Sequence, residues 1–202
     1  MDYKRYGAHV MAVLQQAMLA PNTTASPVVL PFEPLVHLFG VRTTVASAGY
    51  TLLTKIPGSL ITRTGSKIRI FLESGGTACT LNNVTIGPAV TAGSAWNCSS
   101  VTTVTMGGST TWAISGGAGT LFVSDEITFA VNAGVAYIIG INQDSTANAL
   151  SRRASLNIGT GALSGIVSYV KAAVQEADDA TRGASYVAQS NIAYHLWRLD
   201  IQ

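Results

Sequence analysis

Residues 123–144 read VSDEITFAVNAGVAYIIGINQD. Ile127, Phe129 and Val131 alternate with Thr128 and Ala130, and Val135, Tyr137, Ile139 and Ile141 repeat at the same period of two. That period predicts two strands, each with one apolar face. Asn132-Ala133-Gly134 lies between them, with glycine where a left-handed residue is wanted, and predicts a hairpin link. Asp125 and Glu126 stand before the first strand and Asp144 after the second, so a hairpin brings all three to one end. Paired acids serve glycoside hydrolysis only when both address one cleft and one is held protonated. Neighbouring residues on a strand face opposite sides. The acids are therefore expected as solvated strand ends, with a Ca²⁺ site of acids and carbonyls as the lesser alternative.

The same period spreads outward from about Thr43. In SKIRIFLES, Ile68, Ile70 and Leu72 share one face, and Lys67, Arg69, Phe71 and Glu73 the other. Val104 and Met106 share a face, as do Trp112 and Ile114, and Gly75-Gly76, Gly107-Gly108 and Gly116-Gly117 punctuate the runs. Short strands with glycine turns between them predict an all-β sandwich or barrel. Residues 145–165 are polar and read as a long loop. Residues 166–174 (IVSYVKAAV) suit a strand or a helical turn, and EADDATRG (176–183) reads as an exposed loop. The last stretch, NIAYHLWRLDIQ, is strand-like, with apolar residues on both faces.

The first residues differ. Tyr3, Tyr6, Val10 and Leu14 recur at helical spacing and predict a short N-terminal α-helix, which Pro21 ends. Prolines 21, 27, 31 and 34 then predict an extended arm. The expected organisation is a helix and arm over 1–40 and a β-sandwich over 41–202. A helix this short must pack on its own β-body or on another subunit. Tyr3, Tyr6, Val10 and Leu14 are thus candidate assembly anchors; the plain alternative is that they cover the protein's own core. Lys4 and Arg5 before an apolar stretch imitate a signal peptide, but His9, Gln15 and Gln16 interrupt it, and no secretion signal is expected.

Composition narrows the function classes. The chain has 202 residues, 48% hydrophobic but only 11% charged, and a net charge of +2. It is too apolar for disorder, and its apolar runs are too short for spanning helices. Its scattered cations do not make a nucleic-acid surface. So little charge suggests surface hidden in an assembly. Cys79 and Cys98 form no CxxC pair, and His9, His37 and His195 are far apart, so no metal or other cofactor is expected. The two cysteines read as neighbours able to pair in an oxidising compartment or as two buried thiols.

The order SKIRIFLES, LNNVTIG, VTMGGSTTWAIS and TLFVSDEITFAVNAGVAYIIGI resembles the jelly-roll β-sandwich accessory module beside SGNH/GDSL-type hydrolase domains, and related stand-alone proteins of tailed-phage virions. The resemblance covers about residues 45–141, with a looser tail to 202, and is most specific over Val123–Ile141. It implies an antiparallel jelly-roll-like sandwich with a non-catalytic role. The enzyme part is missing. No Gly-Asp-Ser occurs, Gln143-Asp144-Ser145 opens no helix, and no Asp lies three residues before a histidine. No serine–base pair is evident, nor any phosphate loop, since Gly65-Ser66-Lys67 leads into a strand.

Two expectations follow. The first is a structural virion protein (capsid decoration, head fibre or tail-associated subunit), located in the virion, partnered by other virion proteins and homo-oligomeric, a trimer among the options. The second is a carbohydrate-binding module for host-surface glycans, with Trp96, Tyr50 and Trp112 as candidate stacking residues. Of these Trp96 sits in a polar loop, whereas Trp112 alternates with Ile114 as a core residue does.

Overall fold

A computed structural model describes residues 31–38, 49–143, 165–190 and 192–202 in full, and the backbone of 41–47 and 148–154. Along the chain run β1 (Glu33–His37), β2 (Val41–Ser47), β3 (Tyr50–Ile56), β4 (Gly65–Glu73) and β5 (Cys79–Pro88). Then come β6 (Thr102–Thr103), β7 (Thr111–Ile114), β8 (Leu121–Val123), β9 (Ile127–Val131) and β10 (Tyr137–Gln143). Last are β11 (Asn148–Ala154), β12 (Val167–Ala172), β13 (Val187–Ser190), β14 (Ile192–Tyr194) and β15 (Leu196–Ile201). The expected N-terminal helix lies outside the described residues. Glu33–His37, expected in the arm, is a strand, and its Pro34 is tolerated because β1 is an edge. Residues 148–154, expected in a loop, form β11, and 167–172 settle as strand.

All strand pairings are antiparallel. A five-stranded sheet runs β1-β15-β4-β8, with β9 also on β4; a seven-stranded sheet runs β13-β12-β3-β10-β5-β6, with β7 also on β5. A third, three-stranded sheet is β14-β11-β2. Setting aside the three-stranded sheet and β12–β13, and taking β6 with β7 and β8 with β9 as broken strands, leaves eight principal strands. Their order is first–eighth–third–sixth facing second–seventh–fourth–fifth, the order of a jelly roll. Strands β12 and β13 extend its second sheet.

The core lies between the two large sheets. Ile68, Ile70 and Leu72 from β4 are fully buried against Trp112, Ile114, Val131, Ile139 and Leu199. Each such aliphatic side chain contributes roughly 1.5–3 kcal/mol by leaving water. The alternation in β4, β7 and β9 therefore faces the core as the sequence predicts. The end of the chain is different. A bulge between Leu196 and Arg198 turns Leu196, Leu199 and Ile201 all toward the core and leaves Trp197 outside.

The predicted hairpin of 123–144 does not form. β9 pairs with β4 in one sheet, and β10 pairs with β3 and β5 in the other. Asn132–Ala136 is a corner between sheets. Gly134, at φ +81°, donates to the Ile61 carbonyl (2.8 Å), and its own carbonyl lies where a Cβ on Gly58 would be, 2.0 Å away. Tyr137 stacks edge-on against Phe129 at 5.6 Å, and its hydroxyl accepts from the Asn132 amide. Both strands alternate because both face the core. Alternation reports facing, and pairing is a separate matter.

Candidate functional site

The acids that raised the question of catalysis are engaged. Asp125 accepts from the Thr105 hydroxyl (2.7 Å) and from the amides of Gly107 (2.9 Å) and Gly108 (2.8 Å). Those glycines turn at φ +58° and +77°, so their amides converge on the carboxylate. The hydroxyl bond and the two amides hold the Asp125 carboxyl below its ordinary range, opposite to what a general acid needs. Glu126 points the other way, to Lys67 and, at 3.9 Å, to Arg69. Asp144 lies outside the described residues. With β9 and β10 in different sheets, no hairpin end gathers the three.

His195 sits at the corner from β14 to β15, with φ +54° and its ring wholly buried. Its Nδ1 is 2.9 Å from the Glu73 carbonyl, and its Nε2 meets no hydrogen-bond partner among the described residues. Burial pushes its pKa below the usual imidazole value, against smaller opposing effects of the Glu73 carbonyl and charge. No substrate reaches a ring sealed in this way. Among the described residues no three His, Cys, Asp or Glu side chains gather as metal ligands, and no helix is long and apolar enough to cross a membrane.

The three stacking candidates do not share a surface. Trp112 is completely buried, with Nε1 on the Val104 carbonyl (3.3 Å), and offers no ring to a sugar. Tyr50 is half-buried and packs on the same inter-sheet core. Trp96 lies on the opposite, outer face of the seven-stranded sheet, half-buried between Tyr169 (5.8 Å) and Tyr186 (5.5 Å), with Nε1 bonded to the Gly183 carbonyl. Tyr3, Tyr6, Val10 and Leu14 lie outside the described residues. Cys79 is in the inter-sheet core and Cys98 in the outer cluster, both as free thiols.

That outer face is covered by two loops, and 176–183, read from its charges as an exposed loop, is exposed in part, with Ala177 and Arg182 buried. Arg182 is buried and donates to the carbonyls of Trp96 (2.6 Å), Glu176 (3.0 Å) and Ala177 (3.0 Å), so one guanidinium clasps both loops. Glu176 accepts from Lys171 Nζ (2.8 Å), Tyr186 and the Gly183 amide. Of that run Asp178, Asp179, Thr181 and Gly183 remain exposed. The sequence signal was in the strands beneath. Gly87 and Gly140 leave room for the loops: a Cβ at Gly87 would lie 2.0 Å from the Ser100 carbonyl, and one at Gly140 3.0 Å from that of Ala177.

The outer face of the five-stranded sheet is the surface that sequence reasoning missed. By register Val123 neighbours Phe71, Phe71 neighbours Arg198, and Arg198 neighbours His37. Trp197 stands among them, edge-on to His37 (4.3 Å) and Phe71 (6.1 Å). Arg198 stacks over Phe71 at 3.9 Å, and Arg69 over Phe32 at 4.3 Å. Arg198 also holds the buried Asp200. Its Nη2 donates to Oδ2 at 3.0 Å, while Nε approaches Oδ1 at 2.8 Å as an ion pair outside hydrogen-bonding angle. Burial raises the Asp200 pKa and Arg198 pulls it back. Leu121 and Val123, on the same side of β8, are 41% and 40% exposed. Aromatic, arginine and aliphatic surface of this kind has the composition of a contact surface.

No protein-family model matches the chain, and comparison with curated proteins gives no significant match.

Proposed function

We propose that this protein is a non-catalytic structural subunit of a tailed-phage virion that works by protein–protein assembly. The observation that carries the assembly reading is the row Val123–Phe71–Arg198–His37, with Trp197, across an outer sheet face. The acids support it by what they do, since Asp125, Glu126, Glu176 and Asp200 each hold a turn, a strand or a loop in place. The low charge of the whole chain fits surface covered by neighbours. The virion placement rests on the resemblance of Val123–Ile141 and on jelly rolls being a common capsid architecture. Mass spectrometry of particles purified from a host carrying the gene with its neighbours tests this. The chain is expected in fixed ratio to the major structural proteins, and its absence from intact particles defeats the reading.

A second reading, a glycan-binding module, is favoured by Trp96, which stays half-exposed beside Tyr186 and the Lys171–Glu176 pair. A glycan array that shows binding lost in Trp96→Ala would favour it over pure assembly.

A further inference from the structure

We propose that Thr51 and Asn142 join in an ester bond, formed once per chain when the Thr51 hydroxyl displaces ammonia from the Asn142 side-chain amide. The link ties β3 to β10, two central strands of the seven-stranded sheet. It stands apart from the assembly and glycan readings and needs neither.

Placement comes first. Thr51 and Asn142 face each other across the β3–β10 ladder. Both are fully buried, in strands otherwise rich in leucine and isoleucine. Thr51 Oγ1 lies 3.1 Å from Asn142 Oδ1. The amide carbon is one C=O bond beyond, so Oγ1 is no further than about 4.3 Å from it. Near-attack distance is roughly 3–3.5 Å, which leaves an approach of about 1 Å at most.

The surrounding groups come second. The Thr51 hydroxyl has one hydrogen and several acceptors. Besides Asn142 Oδ1 it meets the Val174 carbonyl at 2.9 Å, and it is within hydrogen-bonding reach of the Tyr186 hydroxyl. When the hydrogen turns to Val174 or Tyr186, an oxygen lone pair is left beside the amide. Tyr186 in turn donates to Glu176 Oε2 at 3.1 Å, so the Thr51 proton has a route to a carboxylate. On the amide side, Asn142 Oδ1 accepts from the Ala177 amide at 2.9 Å, a donor placed for the oxyanion of a tetrahedral intermediate. Asn142 Nδ2 donates to Asp178 at 3.3 Å, an exposed carboxylate beside the leaving group. A nucleophile, a proton route, an oxyanion donor and an exit thus converge on one amide.

The atoms balance without a co-reactant. The Oγ1–Cγ bond forms and the Cγ–Nδ2 bond breaks. The Thr51 proton passes through Tyr186 to Glu176 and on to solvent. Asp178 relays a proton from solvent to the departing nitrogen, which leaves as ammonia. The hydrogen bond from Lys171, and less strongly that from Tyr186, hold Glu176 below the usual carboxylate range. It is therefore a weak base and the step is slow. A single event per chain needs no speed, and the burial of both residues keeps water from the product.

The intact mass of the full chain, folded, aged at neutral pH and then denatured, tests this. It is expected to fall about 17 Da below the sequence mass, the loss of one ammonia. A digest should contain one pair of peptides joined through Thr51 and Asn142. Thr51→Ser should keep the loss, and Thr51→Val, similar in shape but without the hydroxyl, should show the full mass. A succinimide at Asn142 also sheds ammonia but does not use Thr51. A loss that persists in Thr51→Val therefore overturns the proposal, as does a wild type that keeps its full mass or loses ammonia without joined peptides. Circular dichroism checks that the variants fold. The joined peptides are read from the wild type alone, so a variant that fails to fold leaves the test intact.

Discussion

Acidification from neutral pH should weaken this protein through His195. The ring is fully buried, with one nitrogen on the Glu73 carbonyl at 2.9 Å and the other without a partner among the described residues. Protonation would bury a charged N–H with no acceptor. The folded pKa is depressed by desolvation, while in the unfolded chain the imidazole titrates near 6.5, its ordinary value. The unfolded state therefore binds the proton first, and stability falls as pH drops below about 6.5. The slope approaches about 1.4 kcal/mol per pH unit while the folded ring stays neutral. Between pH 7 and 5 this amounts to about 2 kcal/mol at most. Asp125 and Glu176 are both held down and lose their stabilisation only below their ordinary values of 3.8 and 4.5. Asp200 is raised and works with the opposite sign, since its folded form takes the proton first. A paired comparison removes these contributions. His195→Asn keeps a residue that tolerates φ +54° and cannot titrate. Urea unfolding at pH 7, 6 and 5 should show the wild type losing stability faster than the variant. Parallel curves would refute the argument.

Two other outcomes are expected. Arg182→Met leaves the carbonyls of Trp96, Glu176 and Ala177 without their shared donor. It should cost about 2–4 kcal/mol and open 173–186 to limited proteolysis; a urea midpoint unchanged from wild type would show that the loops hold themselves. Cys79 and Cys98 are free and buried, with the Cys79 thiol pushed up to about 11 by desolvation. A thiol reagent near pH 8 should label neither until denaturant is added and then label both, whereas an unlabelled denatured chain would mean a disulfide.

The facing of the strands was legible and their pairing was not. Ile68-Ile70-Leu72, Trp112-Ile114 and Ile127-Phe129-Val131 alternate because one side of each meets the core. Nothing in period two tells which strand lies alongside, so 127–143 read as a hairpin although its halves belong to different sheets. The bulge at Leu196–Arg198 hid the facing of β15, because one extra residue shifts the period midway. The covered face of the seven-stranded sheet left a fainter mark. β10, YIIGINQ, is buried on both sides, and its unbroken apolar run together with Gly140 signals a strand roofed over. The aromatic and arginine row on the outer face of the five-stranded sheet was hard to see for a different reason. Its members come from β1, β4, β8 and β15, and only register assembles Val123, Phe71, Arg198 and His37 into a row.

β15 lies between β1 and β4, so Glu33 faces Ile201 across a pair that closes almost the whole described body. Filling that slot means closing a loop that spans nearly all of the described residues. Until then β1 has no neighbour and β4 presents a bare edge with Ile68, Ile70 and Leu72 behind it. Closing so long a loop is slow, and an open edge in the meantime is a template for the wrong chain. Cells making this protein thus run a race between self-closure and sticking, and its yield should depend on temperature and expression rate more steeply than its final stability would suggest.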